Sequence, residues 1–187
     1  SAGEWTSGES LASALAISRT AIWKQIKALQ EEGYCIASST KRGYLLQGAP
    51  DRLLPTEIRD GLETRVFGRE RIDYFTETDS TNVRARALAH GGASEGTIVV
   101  AESQTQGRGR RGRSWFSPPG CGIYISIILR PQVQPHEAPQ LTLMAAVAMA
   151  ETLLKTADLP FTIKWPNDIL VNGKKISGIL TEMSLEM

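Results

Sequence analysis

The chain has 187 residues, 41% of them hydrophobic and 22% charged, the balance of a folded globular protein with room for one large domain or a small one plus a medium one. A formal net charge of +1 excludes a bulk field as the means of gripping nucleic acid, so any such contact has to come from locally placed residues. The two cysteines, Cys35 and Cys121, are too far apart in sequence for a C-x-x-C metal or redox motif, and no apolar stretch approaches the ~20 residues that span a bilayer, so a cytoplasmic protein with no membrane partner is expected.

Thr6 followed by Glu9 predicts a capping box that opens a short helix through Leu11 and Leu15, with a turn at Ala16-Ile17. Ser18 is a suitable N-cap for a second helix, whose apolar stripe is Ile22, Ile26 and Leu29 and which Gly33 ends. Tyr34 to Ile36 and Tyr44 to Leu46 are expected to pair as strands around a polar tip carrying Lys41 and Arg42. Helix, turn, helix and basic hairpin is the order of a winged helix. Its candidate DNA contacts are Ser18, Arg19, Thr20, Trp23, Lys24 and Lys27 on the second helix, with Lys41 and Arg42 at the wing. Such shapes also serve as protein-interaction modules, and Glu31 and Glu32 offset part of the local charge. One small module with few basic contacts binds DNA specifically only as a dimer.

Gln47 to Asp51 has linker composition, which places a boundary near Gly48 and gives domains at 1–48 and 49–187. Beyond it, Ile72 to Phe75 and Thr97 to Glu102 read as strands flanking a helix from Thr81 to His90, stopped by Gly91-Gly92. Ile123 to Arg130 is nearly all apolar, the pattern of a central strand covered on both faces. Leu141 to Thr156 reads as a core helix. Phe161 to Trp165, Ile169 to Val171 and Lys174 to Glu182 read as strands, with Asn172-Gly173 the signal of a tight hairpin. Thr181 to Met187 reads as a strand cut short, and the start lacks a helix that normally precedes such a module, so a longer parent protein is expected. The class is α+β with a mixed or antiparallel sheet.

The chemistry concentrates between Gln106 and Trp115, where arginines alternate with glycines: Gly107-Arg108-Gly109-Arg110-Arg111-Gly112-Arg113. Guanidinium offers a permanently charged fork matched to phosphate or carboxylate, and glycine lets backbone amides approach the same anion. On composition alone, a solvated charge run, a nucleic-acid-binding arginine-glycine segment and a small-anion site all remain open. Gly107-x-Gly109-x-x-Gly112 matches a dinucleotide fingerprint only formally, because Ser114 to Gly120 with its two prolines cannot open the helix that motif requires. Gly173-Lys174-Lys175 lacks the upstream glycine of a P-loop. His90 and His136 sit in no motif, which excludes a histidine triad or zinc site by sequence. No side-chain cluster for a metal is seen.

With the arginine loop stand Asp79-Ser80-Thr81-Asn82, Ala101-Glu102-Ser103-Gln104, and Lys164-Trp165-Pro166-Asn167-Asp168 running on to Lys174-Lys175-Ile176-Ser177-Gly178. In this order the tracts resemble the catalytic domain of biotin–protein ligases, which has the same arginine-glycine string followed by Trp-Phe-Ser-Pro. The first fifty or so residues resemble the winged helix of the bifunctional ligases that repress the biotin operon. The resemblance implies a class II synthetase-like domain that uses ATP and Mg2+ to make biotinyl-5'-AMP, then transfers biotin to a lysine of a biotin carboxyl carrier protein. It also implies operator DNA as a partner and a homodimer when the adenylate is bound.

The residue roles implied are these. Ser80, Thr81 and Gln104 match positions on the biotin ring, and Asn82, Gly107, Arg108, Gly109, Arg110, Lys175 and Gly178 complete the biotin site. Arg110, Arg113, Trp115 and Asp168 match nucleotide positions, with Asp168 in support of Lys164, an arginine or a magnesium-bound water. Lys175 and Arg110 are the implied catalytic cations. Without the resemblance, Lys175 reads as an ordinary exposed lysine near a turn, as Lys174 does, and Trp165 to Asp168 as a plain turn. The family's catalytic unit continues into a Gly-Ile-Asn segment and a small β-barrel absent from these residues, so the domain is expected to be incomplete at its C-terminus. Two other readings stand beside this one: a metabolite-responsive winged-helix regulator without ligase activity, and a lipoate–protein ligase relative.

Overall fold

The computed structural model describes residues 3–184, and the chain divides into two compact units, Ser1–Arg52 and Leu53–Met187.

The first unit holds α1 (Gly8–Leu15), α2 (Arg19–Glu31), β1 (Cys35–Ser39) and β2 (Gly43–Gly48). The expected capping box at Thr6 and Glu9 is not used. Thr6 is extended instead and exchanges both backbone hydrogen bonds with Tyr44, at 2.8 and 2.9 Å, so the cap falls to Ser7, whose hydroxyl accepts from the Ser10 amide. Ala16 closes α1 in the left-handed conformation. Ser18 caps α2 as its sequence position suggests, its Oγ accepting from Ala21 N at 3.2 Å. Ile22 is buried and Ile26 and Leu29 are half-buried, while Trp23, Lys24 and Lys27 face solvent, so one apolar stripe sets which side of α2 is free. β1 and β2 pair antiparallel with Ser39 opposite Gly43, and the turn between them carries Lys41 and Arg42. The break between units falls after Arg52, past Gly48, where β2 ends.

In the second unit come α3 (Pro55–Asp60), β3 (Ile72–Phe75), α4 (Thr81–His90), β4 (Ile98–Ala101), β5 (Tyr124–Ile127), α5 (Ala138–Thr156), β6 (Phe161–Lys164), β7 (Asp168–Val171) and β8 (Lys174–Gly178). β3 runs parallel to β4 and β5 antiparallel to it, and β6, β7 and β8 form a separate antiparallel sheet. β4 is the core strand, with Ile98, Val99, Val100 and Ala101 all buried. Its alternation divides the core: Ile98 and Val100 pack with Ile72 under Leu53, Ile58 and Leu62, and Val99 packs with Ala85 and Ile128 under Phe75 and Leu88. Removing these apolar groups from water is what fixes α4 against the sheet, at roughly 25 cal/mol per Å² buried.

The expectation of a central strand at Ile123 to Arg130 is corrected. Only Tyr124–Ile127 is strand, it lies at the edge of its sheet, and Ile125 and Ile127 are 39% and 43% exposed. An apolar run has the same composition in either place, and only the pairing decides. The strand expected as far as Glu182 ends at Gly178, where the chain peels away with Ile179 N bonded to Asn167 O at 2.9 Å. Residues 181–184 are not strand, and the remainder of that expected element, 185–187, lies outside the described residues. The Asn172-Gly173 hairpin forms with both residues at positive φ, 50° and 76°.

Gly43 gives a test of the first unit. Its φ is +92°, and a Cβ there would strike the Thr6 carbonyl oxygen and lie 2.7 Å from Ser7 Cα. Gly43→Ala should cost this unit on the order of 2 kcal/mol through backbone strain and overpacking, read as a lower denaturation midpoint. An unchanged midpoint would show that the Thr6–Tyr44 pairing does not hold the wing.

Candidate functional site

The arginine loop is a hairpin rather than a coil. Trp115 N bonds to Gly107 O at 2.8 Å, Gly109 N bonds to Arg113 O at 2.7 Å, and Arg108 and Ser114 bridge between them. The tip is a short 3-10 turn over Arg110–Gly112, with Arg111 at φ 58° and Gly112 at φ 73°. Gly107 is where the hairpin meets the sheet: a Cβ on it would run into the Trp115 carbonyl oxygen, 2.7 Å from Ser117 Oγ and 3.3 Å from Gln104 Nε2. Any side chain at 107 would push the loop off Gln104.

Gln104 heads a row of neutral polar groups. Its Oε1 accepts from Thr81 N at 2.8 Å and from Thr81 Oγ1 at 3.1 Å, and its Nε2 donates to Ser117 Oγ at 2.9 Å. Ser126 Oγ lies 2.9 Å from Thr81 Oγ1 and 2.8 Å from Asn82 Oδ1. Thr81 is buried at the first turn of α4, and Ser80 before it is buried without a side-chain cap bond.

Cations stand around this row. Lys175 Nζ is 2.7 Å from Asp168 Oδ1 and 4.9 Å from the centroid of the Trp115 ring. Asp168 Oδ1 is buried, and that ammonium, met off the ideal hydrogen-bond direction, is its partner. The support expected for Lys164 is therefore corrected: Lys164 lies opposite Asp168 in the β6–β7 register, but the carboxylate turns to Lys175 across the β7–β8 bulge. Gly178 leaves the space, since a Cβ there would lie 2.9 Å from Lys175 Nζ and 3.3 Å from Trp115 Cζ3. Arg110 donates to Asn167 Oδ1 at 2.7 Å, and Arg108 comes within 3.9 Å of Glu182 Oε1. Asn82 Nδ2 donates to Leu180 O and Glu182 Oε2, both at 3.4 Å.

Thr81, Asn82, Gln104, Gly107, Arg108, Arg110, Trp115, Asp168, Lys175 and Gly178 thus form one connected set, with Ser80 and Gly109 adjoining it along the chain. Arg113 closes the hairpin through its backbone and its side chain is exposed. Sequence reasoning missed Ser117, Ser126, Asn167 and Glu182. Ser126 left a trace, as the one polar residue inside Tyr124–Ile127. In the first unit, Arg19, Thr20, Trp23, Lys24, Lys27, Lys41 and Arg42 are exposed, Lys27 lies 5.9 Å over Trp23, and Arg42 stacks 4.3 Å over Trp5. Ser18 spends its hydroxyl on the helix cap.

Among the described residues no cluster of three or more His, Cys, Asp or Glu side chains is placed to hold a metal, and no helix is long and apolar enough to cross a membrane.

This geometry can be set beside known proteins. Residues 74–186 match the Biotin/lipoate A/B protein ligase family, and residues 1–45 match an HTH domain. A Bacillus subtilis protein, "Bifunctional ligase/repressor BirA", is 48% identical over 183 residues, 98% of this chain and 56% of that one. The chain belongs to the biotin/lipoate A/B protein ligase family. It spans about half the length of the curated relatives it matches. Among solved structures, the Aquifex aeolicus biotin protein ligase in complex with biotin and ATP aligns with TM-score 0.55 and 40% identity, covering 62% of this chain and 47% of that one. The Leishmania major biotin protein ligase in complex with biotinyl-5-AMP aligns with TM-score 0.52 and 32% identity, covering 62% and 53%. The winged helix followed by an α+β ligase domain is the architecture these matches support.

At the entrance to α4 this family member holds a charged knot. Asp79 Oδ1 accepts from Ser80 N at 2.7 Å and Thr78 Oγ1 at 3.0 Å, with Arg84 Nε 3.1 Å away. The Ser80 amide, ahead of Thr78 and Arg84 and against a burial cost, holds this carboxyl below its ordinary value. A depressed folded pKa contributes stability that is complete above the unfolded value, ~3.9, and is lost as pH falls through the lower folded value. Asp79→Asn should flatten that acid limb, as measured by denaturant midpoints across this range; an unaltered limb would place the acid sensitivity elsewhere.

Proposed function

We propose that the intact protein joins biotin to AMP and transfers the biotin to a lysine of a carboxyl carrier protein. The observation that carries this is the convergence of Lys175, Arg108 and Arg110 on the rim of a neutral polar row built from Thr81, Asn82 and Gln104. A uncharged cyclic urea calls for neutral donors and acceptors, and a carboxylate meeting a phosphate calls for cations. Ser80, Thr81, Asn82 and Gln104 take the ring, Gly107, Gly109 and Gly178 leave room for the chain and its head, and Arg108, Arg110 and Lys175 take the carboxylate. Trp115, Arg113 and Asp168 serve the nucleotide side, Asp168 by holding Lys175 rather than by touching substrate.

Biotin's carboxylate is already a nucleophile at neutral pH, so the site needs no general base. One carboxylate oxygen attacks the α-phosphorus of ATP, the bond to the bridging oxygen breaks, and pyrophosphate leaves. Bringing two anions together and neutralising the charge of the five-coordinate phosphorus is the main task, and Lys175 and Arg110 are the cations assigned to it. The carrier's lysine, as the free amine, then attacks the carbonyl and expels AMP. Mg2+ would be carried in on the phosphates of the nucleotide and add positive charge there.

The same reading gives the first unit operator DNA as its partner, in a homodimer favoured by the bound adenylate. Arg19, Thr20, Trp23, Lys24 and Lys27 line the free face of α2, and Lys41 and Arg42 tip the hairpin.

Removing Lys175 also strips Asp168 of its cation, which is costly for a half-buried carboxylate whose Oδ1 is buried. Lys175→Ala should lower biotin-dependent pyrophosphate exchange by at least about a hundredfold, and Lys175→Ala with Asp168→Asn should regain fold stability but not exchange. Normal exchange in the double variant would reject the role of the lysine. Lys24→Ala and Lys27→Ala should each reduce the slope of log affinity against log salt by about 1 on duplex DNA; unchanged slopes would remove α2 from the interface.

A further inference from the structure

The wing of the first unit is braced from outside the hairpin. Thr6 exchanges both backbone hydrogen bonds with Tyr44, at 2.8 and 2.9 Å, and Gly43, having no Cβ, lets the Thr6 carbonyl come up against the end of the turn. The residue before Thr6 is thereby carried alongside the hairpin tip. There the Trp5 ring is half-buried, and the guanidinium carbon of Arg42 lies 4.3 Å from its centroid, well inside the ~6 Å reach of a cation–π contact. Arg42 N also bonds to Ser39 Oγ at 3.3 Å, so its backbone and its side chain are both tied.

An unstacked arginine on a hairpin tip spreads over many rotamers, and a partner that engages it has to order it first. Here the indole has taken that step in advance. One face of the guanidinium rests on the ring, while Arg42 as a whole is exposed and the edge that carries its N–H donors lies outside the contact. A planar fork presented edge-on matches the oxygens of a phosphate. The other ring-borne cation of this unit is different in kind: Lys27 lies 5.9 Å over Trp23, and an ammonium has no plane to align.

We infer that Trp5 is a positioning residue of the nucleic-acid surface: it holds the Arg42 guanidinium edge-outward at the wing tip for a backbone phosphate of duplex DNA. This rests on the DNA reading of the first unit and adds to it the residue that orders one of its cations before DNA arrives. Trp5 itself need not touch the duplex. Because a phosphate is the same at every base pair, the contact fixes where the unit sits without reading sequence, so its effect is felt on any duplex.

The experiment is a titration of the full chain with a mixed-sequence DNA duplex at low salt, using wild type, Trp5→Leu, Trp5→Phe, Arg42→Ala and the two double variants. Leucine keeps apolar bulk without a π face, and phenylalanine keeps a smaller face. Trp5→Leu should weaken binding about fivefold, the effect of leaving one arginine to be ordered on binding, and Trp5→Phe less than about twofold. With Arg42→Ala in place, neither change at position 5 should matter. Full affinity in Trp5→Leu overturns the assignment, and so does an equal loss with and without Arg42, which marks the indole as a structural group only. If Trp5→Leu does not fold, Arg42→Lys decides, because it leaves Trp5 untouched and keeps the charge but not the plane. A loss of about fivefold is expected there, and wild-type affinity overturns the assignment. Wild-type protein that binds no duplex at low salt overturns the DNA reading itself.

Discussion

The site depends on where one ammonium is held. Lys175 Nζ is fixed by a carboxylate at 2.7 Å, an indole face at 4.9 Å and the bare Cα of Gly178, so three different elements have to be in register before it stands where it does. Asp168 starts β7, Gly178 ends β8, and Trp115 closes the arginine hairpin. The bulge between Ile169 and Leu170 lets Lys175 turn to Asp168, and a regular ladder would shift the side chains of β8 by one and send the lysine to the other face. The hairpin and the β6–β7–β8 sheet thereby become parts of a single site, and Gly107 ties that site to Gln104 and α4.

Much of this was legible because the residues involved are of extreme type. Arginines alternating with glycines, a Ser-Thr-Asn at a helix start and Asn-Gly between apolar strands each have few physical interpretations, and α4, β4 and the β7–β8 hairpin lie where they were expected. What could not be read was pairing. Nothing in Ile123 to Arg130 tells an edge strand from a central one, and nothing at Asp168 says that its partner is Lys175 rather than the nearer Lys164. Thr6 failed as a cap for a similar reason: its backbone was claimed by Tyr44, a residue nearly forty positions away. Ser117, Ser126, Asn167 and Glu182 are ordinary polar residues whose importance is conferred by neighbours brought in by the fold.

The two units solve their electrostatics in different ways although the chain is nearly neutral overall. In the first, the basic groups stay on an exposed helix face and hairpin tip, two of them over aromatic rings, and the planar guanidinium of Arg42 gives its face to Trp5 while its N–H edge stays outside that contact. In the second, each cation near the polar row already has a partner: Asp168 for Lys175, Asn167 for Arg110 and Glu182 for Arg108. An anion placed there would meet two cations already paired with carboxylates and one, Arg110, bonded only to a neutral amide. It has to replace these internal contacts or add to them.

The internal contacts are graded, and the grading bears on how an anion enters. Arg108 and Glu182 are 3.9 Å apart with the arginine side chain 47% exposed, a pair worth ~0–1 kcal/mol and exchanged at little cost. Arg110 donates to a neutral amide and is exposed, so no carboxylate has to be displaced from it and its charge is screened by water. Lys175 is held hardest, against a half-buried carboxylate whose buried Oδ1 has the ammonium as its partner. In the proposed reaction, an arriving anion draws the two arginines of the loop toward itself while the lysine stays in place, and the group assigned to the reacting atoms is the one the fold has made least able to move.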